Sequence, residues 1–337
     1  MKTMNIAVVI SAGRRDAPQL DNTLLQRIRQ VDPSVSVTDA SALVAGEFAG
    51  DAEAKAKLDA LLAETEIIVG FAPPHNLLKR APKLKWVQLM SAGADGMARS
   101  EIWQSSLTIT GVSGIHATPI SEYVLGMMLF FAKKSVHYLR MKQKHQWQRY
   151  TPQLLRGSTV GIIALGHIGR EVARLAKAFG MRVLAVDELR GTRPARHVDR
   201  MLPANRLRQL CADSDFVVSC VPLTPKTSKL IGEKELRAMK PTAYLINISR
   251  GGIVDEDALI RALDEKWIAG AGLDVTVIEP LPPDSRLWDF DNVMLTPHIS
   301  GAQEDYLVLG TKLFCENLKR YLQGKKLMNV ISRKRGY

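Results

Sequence analysis

The sequence predicts an α/β protein built from two doubly wound, parallel-sheet domains. Three observations carry this expectation. Short apolar, partly β-branched runs alternate with helical runs over residues 5–115 and again over 157–298, the signature of parallel strands joined by crossover helices. The second half opens on Thr159-Val-Gly-Ile-Ile-Ala-Leu-Gly-His-Ile-Gly169, which reads as a buried strand, a tight glycine turn and a helix. A last helical run, 304–322, follows the final strand and has room to cross back onto the first domain.

In the first half, strands are expected at Ile6–Ile10, Val35–Thr38, Ile67–Val69, Trp86–Leu89 and Leu107–Thr110, with helices at Asn22–Gln30 and Ala52–Ala63. The fourth strand ends in Ser91-Ala-Gly-Ala-Asp95. The backbone N–H groups there suit a carboxylate, and the segment reads equally as an ordinary strand-to-helix turn. Gly111–Pro119 marks a boundary, and Ile120–Lys142 reads as one long buried helix capped by Thr118 or Ser121. Its place is either a core or a subunit interface. His137, His145 and Trp147 have no acid or third ligand spaced near them and read as surface or packing residues, so no metal is expected.

In the second half, Gly166 and Gly169 allow close backbone approach to a ligand and close packing of helix on strand. The helix N-terminus offers free N–H groups and a positive dipole end to a pyrophosphate. The second strand, Arg182–Val186, ends in Asp187, placed to accept hydrogen bonds from a ribose 2′-OH. This favours NAD; Arg190 and Arg193 follow closely and keep NADP as the alternative. Further strands at Phe216–Cys220, Ala243–Asn247, Ile268–Leu273 and Val293–Thr296 bring the second domain to six. Asp255 is expected to cap the helix Glu256–Leu263, and Gly324 to follow the last helix as its left-handed residue.

Arg250, Glu279 and His298 all stand just past strand ends of this second domain. Together they supply what reduction of a 2-oxo acid requires. A guanidinium fork holds a carboxylate or carbonyl oxygen. An imidazole, which titrates near neutrality, gives and takes the carbonyl proton, and a glutamate beside it fixes its tautomer.

Composition narrows the field. The 337 residues carry a formal charge of +12, yet aromatic residues make up only 6% and none interleave the basic stretches, which argues against nucleic acid. The basic residues concentrate in Arg182–Arg208 and in the tail Arg333-Lys-Arg335, which reads as a solvated, frayed end. Cys211, Cys220 and Cys315 lack metal-ligand spacing and fit a reducing compartment. The apolar run Ile6–Ile10 before Gly13-Arg-Arg-Asp16 is too short for a signal segment, and Tyr123–Ala132 falls far below the roughly 20 residues that span a bilayer. A cytoplasmic protein with no membrane partner is expected.

The blocks Ile163-Ala-Leu-Gly-His-Ile-Gly-Arg170, Val221-Pro-Leu-Thr-Pro225, Ile246-Asn-Ile-Ser-Arg-Gly-Gly-Ile-Val-Asp255, Gly272-Leu-Asp-Val275, Glu279-Pro280 and Thr296-Pro-His-Ile-Ser-Gly301 resemble, in order and spacing, the D-isomer-specific 2-hydroxyacid dehydrogenases of glyoxylate/hydroxypyruvate reductase type. The resemblance covers about Trp86 to Gly301. It implies a flavodoxin-like substrate domain, 1–115 plus 302–337, and an inserted Rossmann NAD-binding domain, 116–301. It implies NAD(P)-dependent interconversion of a small 2-oxo acid and a D-2-hydroxy acid. Arg250 would bind substrate, His298 act as acid/base and Glu279 as its partner, with Ala92 and Gly93 as carboxylate-binding backbone. The cofactor would be held by Gly166, His167, Ile168, Asp187, Val221, Pro222, Thr227, Ile248, Ser249, Asp274 and Gly301. It also implies a homodimer built on the nucleotide domain, with the long helix after Thr118 at the interface. Two departures stand out: Ala164 replaces the first glycine of the turn, and Cys220 stands where many members carry histidine. Two other readings use the same scaffold: a nucleotide-sensing, corepressor-like binding protein, and a dehydrogenase of an inorganic oxyanion such as phosphite.

Overall fold

The computed structural model describes residues 3–10, 21–71, 73–97 and 100–336; the Gly13–Asp16 stretch lies outside them. The chain runs β1 (Met4–Val9), α1 (Asn22–Arg29), β2 (Val35–Asp39), α2 (Ser41–Phe48), α3 (Ala52–Glu64), β3 (Ile67–Gly70), α4 (Leu77–Arg80), β4 (Trp86–Leu89), α5 (Glu101–Gln104) and β5 (Thr108–Thr110). Then come α6 (Ala117–Ala132), α7 (Ser135–Gln143), β6 (Thr159–Ile163), α8 (His167–Ala178), β7 (Arg182–Val186), β8 (Arg200–Leu202), α9 (Leu207–Asp213) and β9 (Phe216–Ser219). The remainder is α10 (Glu233–Ala238), β10 (Tyr244–Asn247), α11 (Glu256–Asp264), β11 (Gly270–Leu273), β12 (Val293–Leu295) and α12 (Tyr306–Leu322). Two compact units result: Met1–Ile115 with Gln303–Tyr337, and His116–Ala302.

The first unit holds a five-stranded parallel sheet in the order β2-β1-β3-β4-β5, the flavodoxin-type doubly wound order. Its inner strands β1, β3 and β4 are largely buried on both faces because each face meets an apolar helix layer, while the edge strand β2 exposes Ser36, Thr38 and Asp39. Leu58, Leu62, Leu77 and Ile102 fill one side, while Leu24, Ile28, Phe314 and Leu318 cover the other, around Trp86. Asp21 and Asp51 cap α1 and α3 by accepting backbone N–H bonds, as expected of aspartate at N-caps. Helix α2 follows β2 without a side-chain cap, and the sequence reading missed it for want of that signal.

The tail is not a frayed end. Val330 pairs antiparallel with Thr110, Ile331 is buried, and Arg333 donates to the carbonyls of Trp103 and Leu107. An arginine that reads as solvated from its neighbours is instead a clamp on the backbone around β5.

The second unit holds seven parallel strands, β12-β11-β10-β9-β6-β7-β8. Six in this order reproduce the dinucleotide-binding arrangement, with β12 appended at one edge. The reading of six strands overlooked β8, whose three residues Arg-Met-Leu show no apolar alternation. The long helix over 120–142 is corrected to two: Lys134 takes a left-handed conformation (φ 51°) between α6 and α7. Neither Thr118 nor Ser121 caps α6; its N-cap is His116, and the Ser121 hydroxyl donates to the Thr118 carbonyl. Helix α6 buries Val124, Met127, Met128 and Phe131, whereas α7 buries nothing. Gly324, at φ 65°, follows α12 as expected, and Asp255 caps α11 through the Ala258 N–H.

Gly169 is fixed by packing. A Cβ there would collide with the Ala164 carbonyl oxygen, so α8 lies against the end of β6 only because residue 169 has none. Gly169→Ala is expected to cost about 3 kcal/mol of stability through backbone displacement, read as a fall in the urea midpoint at unchanged m-value.

Candidate active site

Every element of the site in the second unit sits at the carboxyl ends of its parallel strands. At the end of β6 the chain turns through Ala164 at φ 75°. This is the left-handed region that glycine enters freely and alanine does not, so the Ala-for-Gly departure carries a conformational cost beyond an added methyl group. The turn is held by the Ala164 N–H donating to the Val186 carbonyl at 2.8 Å. Gly166 is the N-cap of α8. It is exposed, and a Cβ there would meet nothing within 4 Å. Packing does not require this glycine; it leaves open the space at the helix N-terminus, beside exposed His167 and half-buried Ile168. A pyrophosphate fits such a cradle.

Asp187 ends β7. Its carboxylate accepts from the Leu165 N–H at 2.8 Å and from the Arg190 N–H at 2.8 Å, tying the glycine turn to the loop after β7. The two arginines do not pair with it: Arg190 donates to the Pro194 carbonyl, and Arg193 to those of Arg190 and Leu189. Past β9, the Thr227 hydroxyl donates to the Pro222 carbonyl at 2.7 Å and accepts from the Thr224 N–H at 2.8 Å. It thereby closes the 222–227 turn beside Val221. Burial pushes the Cys220 thiol up to about 12, so it stays neutral and packs as a small hydrophobe.

Two buried polar residues hold the backbone that carries the chemistry-bearing side chains. Asn247, at the end of β10, donates to the Arg250 carbonyl at 2.9 Å and accepts from the Ser249 N–H and hydroxyl. The Ser249 hydroxyl also meets that of Ser219 at 2.9 Å, and Ile248 is buried. A Cβ on Gly251 would collide with the Thr276 carbonyl, so this glycine lets the Arg250 turn lie against the loop that carries Glu279. Asp274, past β11, is 1% exposed. Its carboxylate accepts from the Thr296 hydroxyl (2.8 Å), the Ile299 N–H (2.9 Å) and the Ser300 N–H (3.0 Å). Its own carbonyl accepts the His298 N–H at 2.8 Å. Asp274 thereby anchors the loop that presents His298 in a left-handed conformation (φ 55°).

Glu279 meets His298 directly. Its Oε2 lies 2.8 Å from His298 Nδ1, and its Oε1 accepts the Thr276 N–H at 3.1 Å. The Glu279–Pro280 peptide is cis. Both side chains keep solvent access, at 46% and 39% exposure. With Nδ1 committed to the carboxylate, Nε2 is the ring nitrogen left to exchange a proton with a substrate oxygen. Ala92 and Gly93 lie in the first unit past β4, exposed and half-buried, with the Ser91 hydroxyl donating to the Gly93 carbonyl.

The sequence reading missed Asn247, Thr296 and His116. A lone asparagine closing an apolar strand before Ser-Arg-Gly-Gly was the available signal for the first. His116 packs its ring on Gly301. Burial, and then the Arg250 charge, lower its pKa to about 4. The unfolded chain takes up that proton near pH 6.5, while the native state refuses it until about pH 4. Stability is therefore expected to fall as the pH drops through this window, by up to about 3 kcal/mol. Urea midpoints measured across it should decline less steeply in His116→Gln.

The family model for the D-isomer specific 2-hydroxyacid dehydrogenase NAD binding domain matches residues 125–300. A glyoxylate reductase of Korarchaeum cryptofilum is 35% identical over 76% of this chain and 79% of its own. One of Aeropyrum pernix is 36% identical over 77% and 79%. Among solved structures, a family protein of Aeromonas salmonicida superposes with a TM-score of 0.83 at 27% identity, over 98% of this chain and all of that one. The NADPH-dependent glyoxylate/hydroxypyruvate reductase of Sinorhizobium meliloti, solved with NADP and sulfate, gives 0.82 at 26%, over 99% and all. No helix among the described residues is long and apolar enough to cross a membrane. The chain belongs to the D-isomer specific 2-hydroxyacid dehydrogenase family, and is an NAD(P)-dependent oxidoreductase that interconverts 2-oxo and 2-hydroxy acids.

Proposed function

We propose that this enzyme reduces small 2-oxo acids of the glyoxylate, hydroxypyruvate or pyruvate type to D-2-hydroxy acids, with NADH preferred. The observation that carries the assignment of roles is the 2.8 Å Glu279–His298 pair in the same unit as the open glycine cradle. The second unit binds the dinucleotide, with Gly166, His167 and Ile168 at the pyrophosphate and Asp187 at the ribose. Val221, Pro222, Thr227, Ile248, Ser249 and Gly301 shape the remaining walls. The first unit supplies the Ala92 and Gly93 backbone for the substrate carboxylate.

Arg250 grips the 2-oxo acid through its guanidinium fork and polarises the carbonyl. The bound nicotinamide supplies the hydride for the carbonyl carbon. Protonated His298 gives its Nε2 proton to the oxygen as the alkoxide forms, while Glu279 holds the ring at Nδ1 throughout. In the reverse direction the neutral imidazole takes that proton back. The glyoxylate reductases among its relatives support the substrate class.

The Asp187 carboxylate would repel a 2′-phosphate, and neither nearby arginine is turned toward it. A screen of 2-oxo acids of rising size with both cofactors tests the reading. kcat/KM with NADH is expected to exceed that with NADPH at least about tenfold, equivalent to roughly 1.4 kcal/mol. A clear NADPH preference removes Asp187 as the discriminating group.

A homodimer is part of this proposal. Tyr138, Leu139, Trp147 and Leu154 are exposed after α6, Trp147 at 95%, and exposed large apolar side chains this near one another in sequence support an interaction surface there. All three cysteines are unpaired, consistent with a cytoplasmic location.

A further inference from the structure

Arg206 and Arg208, at the end of the arginine-rich stretch, take no part in the chemistry above, yet the fold gathers them into a cavity. Between α9 and α10 lies an open cavity of about 720 Å³, the size of a small-ligand site. Arg206, Arg208, Lys234 and Arg237 line it, with the amides of Asn205 and Gln209, and none of the lining residues is acidic. Arg237 is already committed: it pairs with Glu233 at 2.8 Å and lies 3.6 Å over the Trp267 ring. Glu233 is held on its other oxygen by Arg261. Among the described residues, Arg206, Arg208 and Lys234 form no ion pair and are exposed. Three uncompensated cations and two amides thus converge on one concavity. None of these residues is among those assigned to the dinucleotide.

We propose that this cavity is a second anion site, which takes a small molecule carrying adjacent phosphate groups, such as a pyrophosphate or the phosphates of a nucleotide. Guanidinium forks match phosphate oxygens in pairs, and a lysine ammonium adds a mobile point charge. A concave site of this volume suits a compact polyanion, whereas an extended phosphodiester backbone calls for a longer basic track.

The test is titration calorimetry of inorganic pyrophosphate into enzyme saturated with NADH, so that the dinucleotide cradle is already filled. Saturable one-to-one binding is expected, weakening as salt rises. It should fall at least about tenfold in Arg208→Gln/Lys234→Gln, with kcat/KM for the 2-oxo acid unchanged. The exposed single variant Lys234→Gln gives an intermediate loss and guards against misfolding of the double variant. Three outcomes overturn the site: no saturable binding by the wild-type enzyme, equal binding by the double variant, or binding of a single-stranded oligonucleotide without binding of pyrophosphate.

Discussion

His298→Ala is expected to lower kcat roughly 10²- to 10⁴-fold, the span that a positioned general acid contributes, while NADH affinity stays within about twofold. The split follows from where the side chain sits. Its Nδ1 is engaged by Glu279 at 2.8 Å, and its backbone is held by the Asp274 and Thr296 carbonyls at 2.8 and 3.0 Å, so alanine removes the ring without releasing the loop. The glycine turn at Gly166 and the Asp187 carboxylate are built from other strand ends and should bind the cofactor as before. Stopped-flow NADH binding and steady-state turnover separate the two quantities. Turnover within about tenfold of the wild type would place the proton transfer elsewhere.

Arg250→Lys is expected to raise KM for the 2-oxo acid about 10- to 100-fold. A charge-assisted fork is worth roughly 1.5–3 kcal/mol, and an ammonium cannot reproduce its two parallel donors. The supporting turn should survive, since Asn247 holds the residue 250 carbonyl and Gly251 holds the contact with Thr276. Melting temperature should therefore change little, which distinguishes lost substrate binding from lost structure. A variant with unchanged KM would remove Arg250 from the substrate contact.

Much of this was legible in the residues because both units obey local rules. The apolar strands, the aspartate cap at 255 and the strand-turn-helix at Thr159 announce themselves through composition and spacing. The family match and the solved relatives bear out the fold, the cofactor class and the reaction type. What stayed hidden depended on contacts distant in sequence. β8 is too short to show a pattern. The break at Lys134 has no glycine or proline to mark it. Arg333 looks like any tail arginine until its carbonyl partners, more than 200 residues away in sequence, are seen. In the site itself, residue types named Arg250 and His298, but Asn247, which holds the Arg250 backbone, was visible only as the polar end of an apolar strand, and the hold of Asp274 on the His298 loop could not be read from its place after a strand. Ala164 stands out in the sequence as a departure, but its cost lies in a backbone angle that the sequence does not display.

The docked tail also bears on how the protein is made. Residues 116–302 form a continuous unit, whereas the first unit needs 303–337 to complete it, with Phe314, Leu318 and Ile331 buried in its cores. Domains commonly fold as units in the order of synthesis. Here that order is inverted: β1–β5 emerge from the ribosome first, with α1 in place but α12, the rest of that helical layer, still untranslated, and wait until the later-made nucleotide unit has been produced in full. During that interval Trp86 and the apolar face around it lack the cover that α12 provides. The span of exposure to chaperones and to self-association is therefore set by the translation time of the inserted unit.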